Sequence, residues 1–281
     1  MVPRSRSIHW RRMCLTTVLI VGAGVAQPTA KARAQDSIPW PRADHLTVTV
    51  SVPGVQIRGD TLLVRYRLTS DAGSEQSGDL FAVRFGGAVV RVEAPIGWYA
   101  SHGLVSDSAA VDWSSLVRRA QLSPGRTLGG FAFESVGALD VVSFLVEGHF
   151  EIPVVTDTTE GLLKQAPSPW ANAFRGQTIG VVAPPADTSP SSLIARLGDR
   201  TGRVCGDLGW ITNDGVCQSL SAKLANAATS IAAGRGVAAV GDLTSFVQEL
   251  EAQHGPEPGK HVNDSAYWLL KVNAEFLLAR L

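Results

Sequence analysis

From Leu46 to Glu93 apolar and polar side chains largely alternate, and a period of two admits little except β-strands with one buried face. Leu46, Val48 and Val50 alternate with Thr47, Thr49 and Ser51; Leu62, Val64, Tyr66 and Leu68 with Leu63, Arg65 and Arg67. Phe81, Val83 and Phe85 alternate with Ala82 and Arg84, and Val90 and Val92 with Arg91 and Glu93. Further strands are expected at Leu128–Glu134 and Val141–Ile152, with breaks at Pro53-Gly54, Gly59-Asp60, Gly86-Gly87, Pro95-Ile96-Gly97 and Pro124-Gly125. Strands of this kind expose one face and must cover the other. Stacking two sheets covers both apolar faces, so an antiparallel, immunoglobulin-like β-sandwich of about seven strands is expected. No cysteine lies in this region, so the sandwich cannot rest on an intersheet disulfide.

After residue 188 the period changes to that of helices. Ser189-Pro190 reads as a cap followed by proline at the first helical position, opening a short helix ended by Gly198. Val216, Leu220, Leu224, Ala227 and Ile231 form one helical stripe ended by Gly234. Val237, Val240, Leu243, Phe246, Val247 and Leu250 form a second. After the break Gly255-Pro256-Glu257-Pro258-Gly259, Asn263 or Asp264 caps a helix carrying Ala266, Leu269, Leu270, Val272, Asn273, Phe276 and Leu277. Packed together, such helices bury the stripes that none of them covers alone. The expected class is α+β in two domains: a β-sandwich with its connector over 40–182 and a three- to four-helix bundle over 189–281. The boundary is read at the stiff Pro184-Pro185 pair, after a possible last strand at Gln177–Val182.

Within the helical part, the order Gly215-Val216, Ser219-Leu220, Lys223-Leu224, Ala227, Leu243, Phe246-Val247, Ala252-Gln253, Gly259-Lys260-His261-Val262, Ala266 and Leu269-Leu270 resembles the FIMAH-type helical domain at the C-terminus of secreted bacterial proteins. The resemblance spans about residues 205–281 and implies an extracellular accessory module without known catalysis. This chain departs from it by the insertion Pro256-Glu257-Pro258 and by two cysteines.

The first 34 residues have a different character. Arg4, Arg6, Arg11 and Arg12 precede an apolar run, Met13–Ala26, and Ala32-Arg33-Ala34 offers small residues for cleavage. This is the pattern of a secretory signal, and the run is short of the roughly 20 residues a permanent span needs. Arg11-Arg12 also loosely resembles a twin-arginine signal, although Trp10 stands where Ser or Thr is usual. Val21-Gly22-Ala23-Gly24 imitates a dinucleotide-binding turn, but Gln27-Pro28 forbids the helix that must follow. Residues 1–34 hold six of the 25 basic residues and no acid, which leaves 19 bases against 25 acids, a net −6. A mildly acidic mature chain without a basic stripe argues against nucleic acid or anionic lipid as partners, and contact with a membrane is expected only through the transient signal.

After the signal only Cys205 and Cys217 remain, and in an oxidising compartment they are expected to pair and pin the Trp210 loop against the bundle. Trp98, Tyr99 and Trp113 are the candidate binding residues, as a stacking platform for a sugar or peptide; their alternative role is to plug the sandwich end. His102 and His149 stand alone. His254, His261 and Asp264 lack the spacing of a metal site, and Asp207, Asn213 and Asp214 lack the ligand spacing of an EF-hand loop, so neither metal nor cofactor is expected. No catalytic motif for acyl or phosphoryl transfer occurs. These readings favour an exported binding or structural protein whose partner is an envelope glycan or another exported protein. The competing reading is a hydrolase with its site in the sandwich loops near Trp98, Tyr99, His102 and Asp112.

Overall fold

Two antiparallel sheets and four helices form the framework of the chain over the residues that a computed structural model describes, 42–105, 108–150 and 170–281. The signal expected at 1–34, the strand end expected at Ile152 and the Thr156–Glu160 part of the connector lie outside these residues. The strands are β1 Val48–Arg58, β2 Thr61–Ser70, β3 Gly78–Arg84, β4 Ala88–Glu93, β5 Trp98–Val105, β6 Ser108–Ser115, β7 Thr127–Val136, β8 Ala138–Gly148 and β9 Phe174–Val182. One sheet has the order β1-β2-β7-β4 and the other β5-β6-β3-β8-β9. The chain crosses between the sheets five times, at β2–β3, β3–β4, β4–β5, β6–β7 and β7–β8, the interlocked arrangement of immunoglobulin-like sandwiches.

Aromatic side chains fill the space where a disulfide would otherwise tie the sheets. Tyr66, Phe81, Trp113, Phe131 and Phe133 are each almost completely buried. Phe81 and Trp113 stack with centroids 5.1 Å apart, and Trp98 meets Phe131 edge to face at 5.1 Å. Tyr66 donates its hydroxyl to the Ile179 carbonyl at 2.9 Å.

The alternation fails at two informative places. The expected break at Pro53-Gly54 does not end β1; the strand continues and absorbs the proline in a register shift between Ser51 and Gly54. An edge strand tolerates this because the missing N–H faces no partner. In β4 a shift between Val89 and Arg91 turns Val90 outward, 61% exposed, so that Val89 and Val92 face the core instead of Val90 and Val92.

The helices are α1 Pro190–Cys205, α2 Asp214–Ala232, α3 Gly236–Gln253 and α4 Asp264–Leu278. The Ser189 hydroxyl accepts from the Ser192 N–H at 3.3 Å, and Asn213 and Asn263 cap α2 and α4 in the same way. α1 does not stop at Gly198. It runs on to Cys205 because Leu193, Ile194, Leu197, Thr201 and Val204 form one buried stripe, and burying that stripe outweighs the roughly 1 kcal/mol cost of each helical glycine. α3 opens in solvent: Val237 is 91% exposed, and the core-facing residues are Ala239, Leu243, Phe246 and Leu250.

Cys205 ends α1 and Cys217 lies in the first turn of α2; they form a disulfide with Cα atoms 5.9 Å apart. The loop between them returns through Trp210, whose N–H donates to the Val204 carbonyl at 2.9 Å. Its carbonyl accepts from Asn263 at 3.1 Å. A disulfide of this kind is characteristic of an oxidising, extracellular or periplasmic setting. Among the described residues, no helix is long and apolar enough to cross a membrane.

The helices are not a free appendage. α4 packs against β1, β8 and β9, and the Asn273 amide donates to the Leu139 carbonyl of β8 at 3.2 Å. Sandwich and helices share one continuous hydrophobic core.

Candidate functional site

The aromatic residues nominated from sequence do not form a platform. Trp113 is completely buried and Trp98 is 6% exposed; their indole N–H groups donate to the carbonyls of Glu93 at 2.8 Å and Ala120 at 2.7 Å. With both rings inside the aromatic cluster, neither can stack on a ligand. Tyr99 alone of the three is exposed, at 59%, because it follows Trp98 by one position and so faces the opposite side of β5. The loop site imagined near His102 and Asp112 is not assembled either: Asp112 accepts from the Ser101 hydroxyl at 2.8 Å, and His102 lies exposed on β5.

Polar groups do converge where β3 begins. Gly78 pairs with Gly148 of β8 and bridges to Leu122. Gly148 lies under the Gln76 side chain: a Cβ there would stand 2.5 Å from Gln76 Oε1 and 3.2 Å from Gln76 Cβ, so the glutamine would have to shift. The bare backbone lets the segment before β3 close over the end of β8. A register shift between Gly78 and Leu80 then places the Asp79 carboxylate 2.8 Å from His149 Nδ1, while the His149 N–H donates to the Ser77 carbonyl at 2.7 Å. Glu147 lies close by on β8 and accepts from the Trp170 backbone.

The electrostatics follow from this crowding. Burial raises the Asp79 pKa, and the hydrogen bond and charge of His149 offset part of the rise. Burial also raises Glu147, and the nearby Asp79 charge adds to the effect. Both carboxyls therefore hold their protons to higher pH than an exposed acid.

Trp170 completes the cluster under strain. Its φ is 67°, and it is the sole non-glycine residue at positive φ among the described residues. The Glu147 contact and the Arg175 guanidinium, 3.0 Å from the Trp170 carbonyl, hold this backbone in place. Its ring covers Ala82, Ala110, Leu145 and Ala173 on the outer face of the five-stranded sheet. Residues kept in such a conformation are commonly found at working sites.

Next to this cluster opens a cleft of about 320 Å³ lined by Glu75, Gln76, Ser77, Arg118, Gln121, His149 and Phe150. Amide, hydroxyl, carboxylate, guanidinium and imidazole groups from the β2–β3 loop, the short 3-10 turn Arg118–Ala120 with Gln121 after it, and the end of β8 meet there beside one aromatic ring. Such a mixture suits a ligand with many hydroxyl or amide groups. Two larger grooves differ from each other: that between α1 and α2, about 450 Å³, is lined by Ile194, Ala195, Leu224, Ala225 and Ala228 with few polar groups, whereas one of about 470 Å³ between β1 and the segment leading into α4 carries Thr49, Ser51, Arg67, Asn263 and Asp264 but no aromatic ring. Among the described residues, no group of three His, Cys, Asp or Glu side chains is arranged to hold a metal ion.

Sequence reading passed over this cleft because its parts are far apart in the chain. Asp79 and His149 are 70 positions apart, and only the β3–β8 register brings them together. A pair of small residues, Gly78 and Gly148, is the one local hint of close backbone approach.

No protein-family model matches the chain, and no curated protein matches it. Among solved structures, the chain is similar to an uncharacterized protein from Nocardia farcinica whose structure is described as revealing an immunoglobulin-like fold. The likeness has 17% identity and a TM-score of 0.30, over 48% of this chain and 97% of that one.

Proposed function

We propose that this is an exported protein of the bacterial envelope or extracellular space that binds without catalysis, and that its ligand is an envelope glycan held in the cleft beside His149. The observation that carries the reading is the lining: Gln76, Ser77, Arg118, Gln121 and His149 converge with Phe150 on one cleft of about 320 Å³. Sugars are held by such mixed donors and acceptors beside an aromatic ring. Export is supported by the basic and apolar order of residues 4–26, by the Cys205–Cys217 disulfide and by the FIMAH-like helical segment.

Retention of the purified protein on insoluble envelope polysaccharide tests the binding reading. Arg118→Ala and Gln121→Ala should each lower retention at least several-fold with the melting temperature unchanged. Equal retention of wild type and both variants, or none by the wild type, would sink it. Capture of an exported protein instead of glycan would leave the cleft reading without its ligand. Export has its own check: protein recovered outside the cytoplasm should begin after Ala34, and a chain still carrying residues 13–26 would contradict it.

A second reading has one observation in its favour. The His149–Asp79 pair has the form of the base and orienting acid of a hydrolase, with the site at this cleft. Hydrolysis of envelope glycan or ester substrates by the wild type, abolished in His149→Ala, would favour it over binding alone.

A further inference from the structure

We propose that β5 is a strand-pairing edge whose occupant is a second copy of this chain, the two strands running antiparallel about a two-fold axis at Ser101 and joining two five-stranded sheets into one. The inference begins with how each sheet edge is protected, because an open edge offers a row of backbone donors and acceptors to any other strand. Three of the four edges carry a recognisable block. β1 is interrupted by Pro53 and a register shift, and α4 packs against it. β4 has six residues, a register shift, and the charged Arg91 and Glu93. β9 carries Arg175, and its Val181 carbonyl accepts from Gly86 at 3.0 Å.

β5 has none of these. Its sequence, Trp-Tyr-Ala-Ser-His-Gly-Leu-Val, contains no proline and no Lys, Arg, Asp or Glu. It pairs with β6 without interruption from Trp98 to Val105, and no strand lies on its other side among the described residues. The direction of its backbone groups follows from one bond: Leu116 N–H donates to the Gly97 carbonyl at 2.8 Å. In an antiparallel ladder alternate residues point to opposite neighbours, so Tyr99, Ser101 and Gly103 serve β6. Ala100, His102 and Leu104 then aim their N–H and C=O groups at the open edge. Trp98 points the same way, and its N–H is occupied by the Pro95 carbonyl at 3.0 Å.

The strand is complementary to itself. Two-fold pairing joins residues of the same face, and an axis at Ser101 sets Ala100 opposite His102 of the second copy, Tyr99 opposite Gly103 and Trp98 opposite Leu104. The Tyr99 ring, 59% exposed, thereby lies over a glycine with no side chain to obstruct it. Leu104, 78% exposed in the single chain, is covered beside Trp98. The pairing forms about six backbone hydrogen bonds, two for each Ala100–His102 couple and one from each Leu104 N–H to a Trp98 carbonyl. With no charged side chain on either strand, nothing repels the second copy. An axis at His102 instead would set two imidazoles against each other and leave Tyr99 without its glycine.

Sedimentation velocity on the purified protein, from micromolar to hundred-micromolar concentration, tests this. The expected result is a reversible two-chain species. Ala100→Pro removes an open-edge N–H without touching the β6 ladder, and Leu104→Lys puts a charge on the edge; each should give single chains with the wild-type melting temperature. If Ala100→Pro unfolds, Leu104→Lys alone decides. In a Cys14→Ser background, Ser101→Cys should form an interchain disulfide on mild oxidation, because the two cysteines face each other across a non-hydrogen-bonded pair, while Ser114→Cys on β6 should not. A single-chain mass at every concentration would overturn the proposal. So would a dimer unaffected by Leu104→Lys, or a cross-link through His102→Cys and not through Ser101→Cys. A monomer that binds extended peptides at β5 would also overturn it, by giving the edge a different occupant.

Discussion

Arg200 of α1 places its guanidinium nitrogen 3.0 Å from Asp140 Oδ2 on β8, with the arginine side chain 9% and the aspartate side chain 31% exposed. A second arginine of the same helix, Arg203, reaches the other carboxylate oxygen at 3.9 Å. The pair lies where helix and sandwich meet, so its loss should be felt by the whole unit. Removing Asp140 leaves a buried charge without its partner, which is costlier than removing both. Asp140→Ala should destabilise by about 2 kcal/mol, a figure reduced for the partial exposure of the carboxylate. Arg200→Met should cost less, since the methionine fills the space and carries no charge. Urea unfolding of both variants checks the order; a larger loss for Arg200→Met would contradict it.

Reduction of Cys205–Cys217 releases a loop with a sequence separation of 12. By loop closure the bond contributes roughly 3 kcal/mol, so the reduced protein should melt several degrees lower. Ile211 and Thr212 are bonded by backbone to Val204 and His261, and their amides should lose exchange protection first. Unchanged melting after complete reduction would show that packing alone holds the Trp210 loop.

The buried and exposed aromatic residues of the sandwich end should respond oppositely. Trp113→Ala opens a cavity beside Phe81 and Phe131 and should cost about 3–5 kcal/mol or prevent folding. Tyr99→Ala removes an exposed ring and should change the stability of the single chain by no more than about 0.5 kcal/mol. Equal effects, measured at concentrations where the chain is monomeric, would mean that Trp113 is not the core residue its burial indicates.

The Asp79–Glu147 cluster sets a pH dependence of known sign. Both carboxyls have raised pKa values in the folded chain, each chiefly through burial. The folded state therefore holds these protons more tightly than the unfolded state. Their contribution is most favourable below the ordinary carboxylate range and is lost as pH rises through the raised folded values. At neutral pH the ionised pair is a cost, and Glu147→Gln removes it while keeping an oxygen to accept from Trp170. The variant should melt roughly 2 °C higher at pH 7 and show a flatter stability profile between pH 4 and 7. A lower melting temperature at pH 7 would show that Glu147 stabilises the strained Trp170 by more than its charge costs.

The split between what residue order dictates and what the folded chain decides follows the range of the physics. Periodicity is a local property, so the alternation in 46–93 specified strands with a buried face, and the stripe Val216, Leu220, Leu224, Ala227 specified a helix with a core side. Caps are local too, and Ser189, Asn213 and Asn263 all start helices as their side chains allow. Strands β5 and β6 escaped notice because Gly103, Ala109, Ala110 and several serines dilute the alternation, and it is pairing with β3 that makes them strands. α1 outran its glycines for the same reason: burial against neighbours exceeds a propensity of about 1 kcal/mol. The cleft, the Asp79–His149 pair and the burial of Trp98 and Trp113 are matters of register. They depend on which of two faces a residue takes and which strand lies beside it, and a bulge such as that at Val89–Arg91 reverses the face without leaving a mark in the local composition.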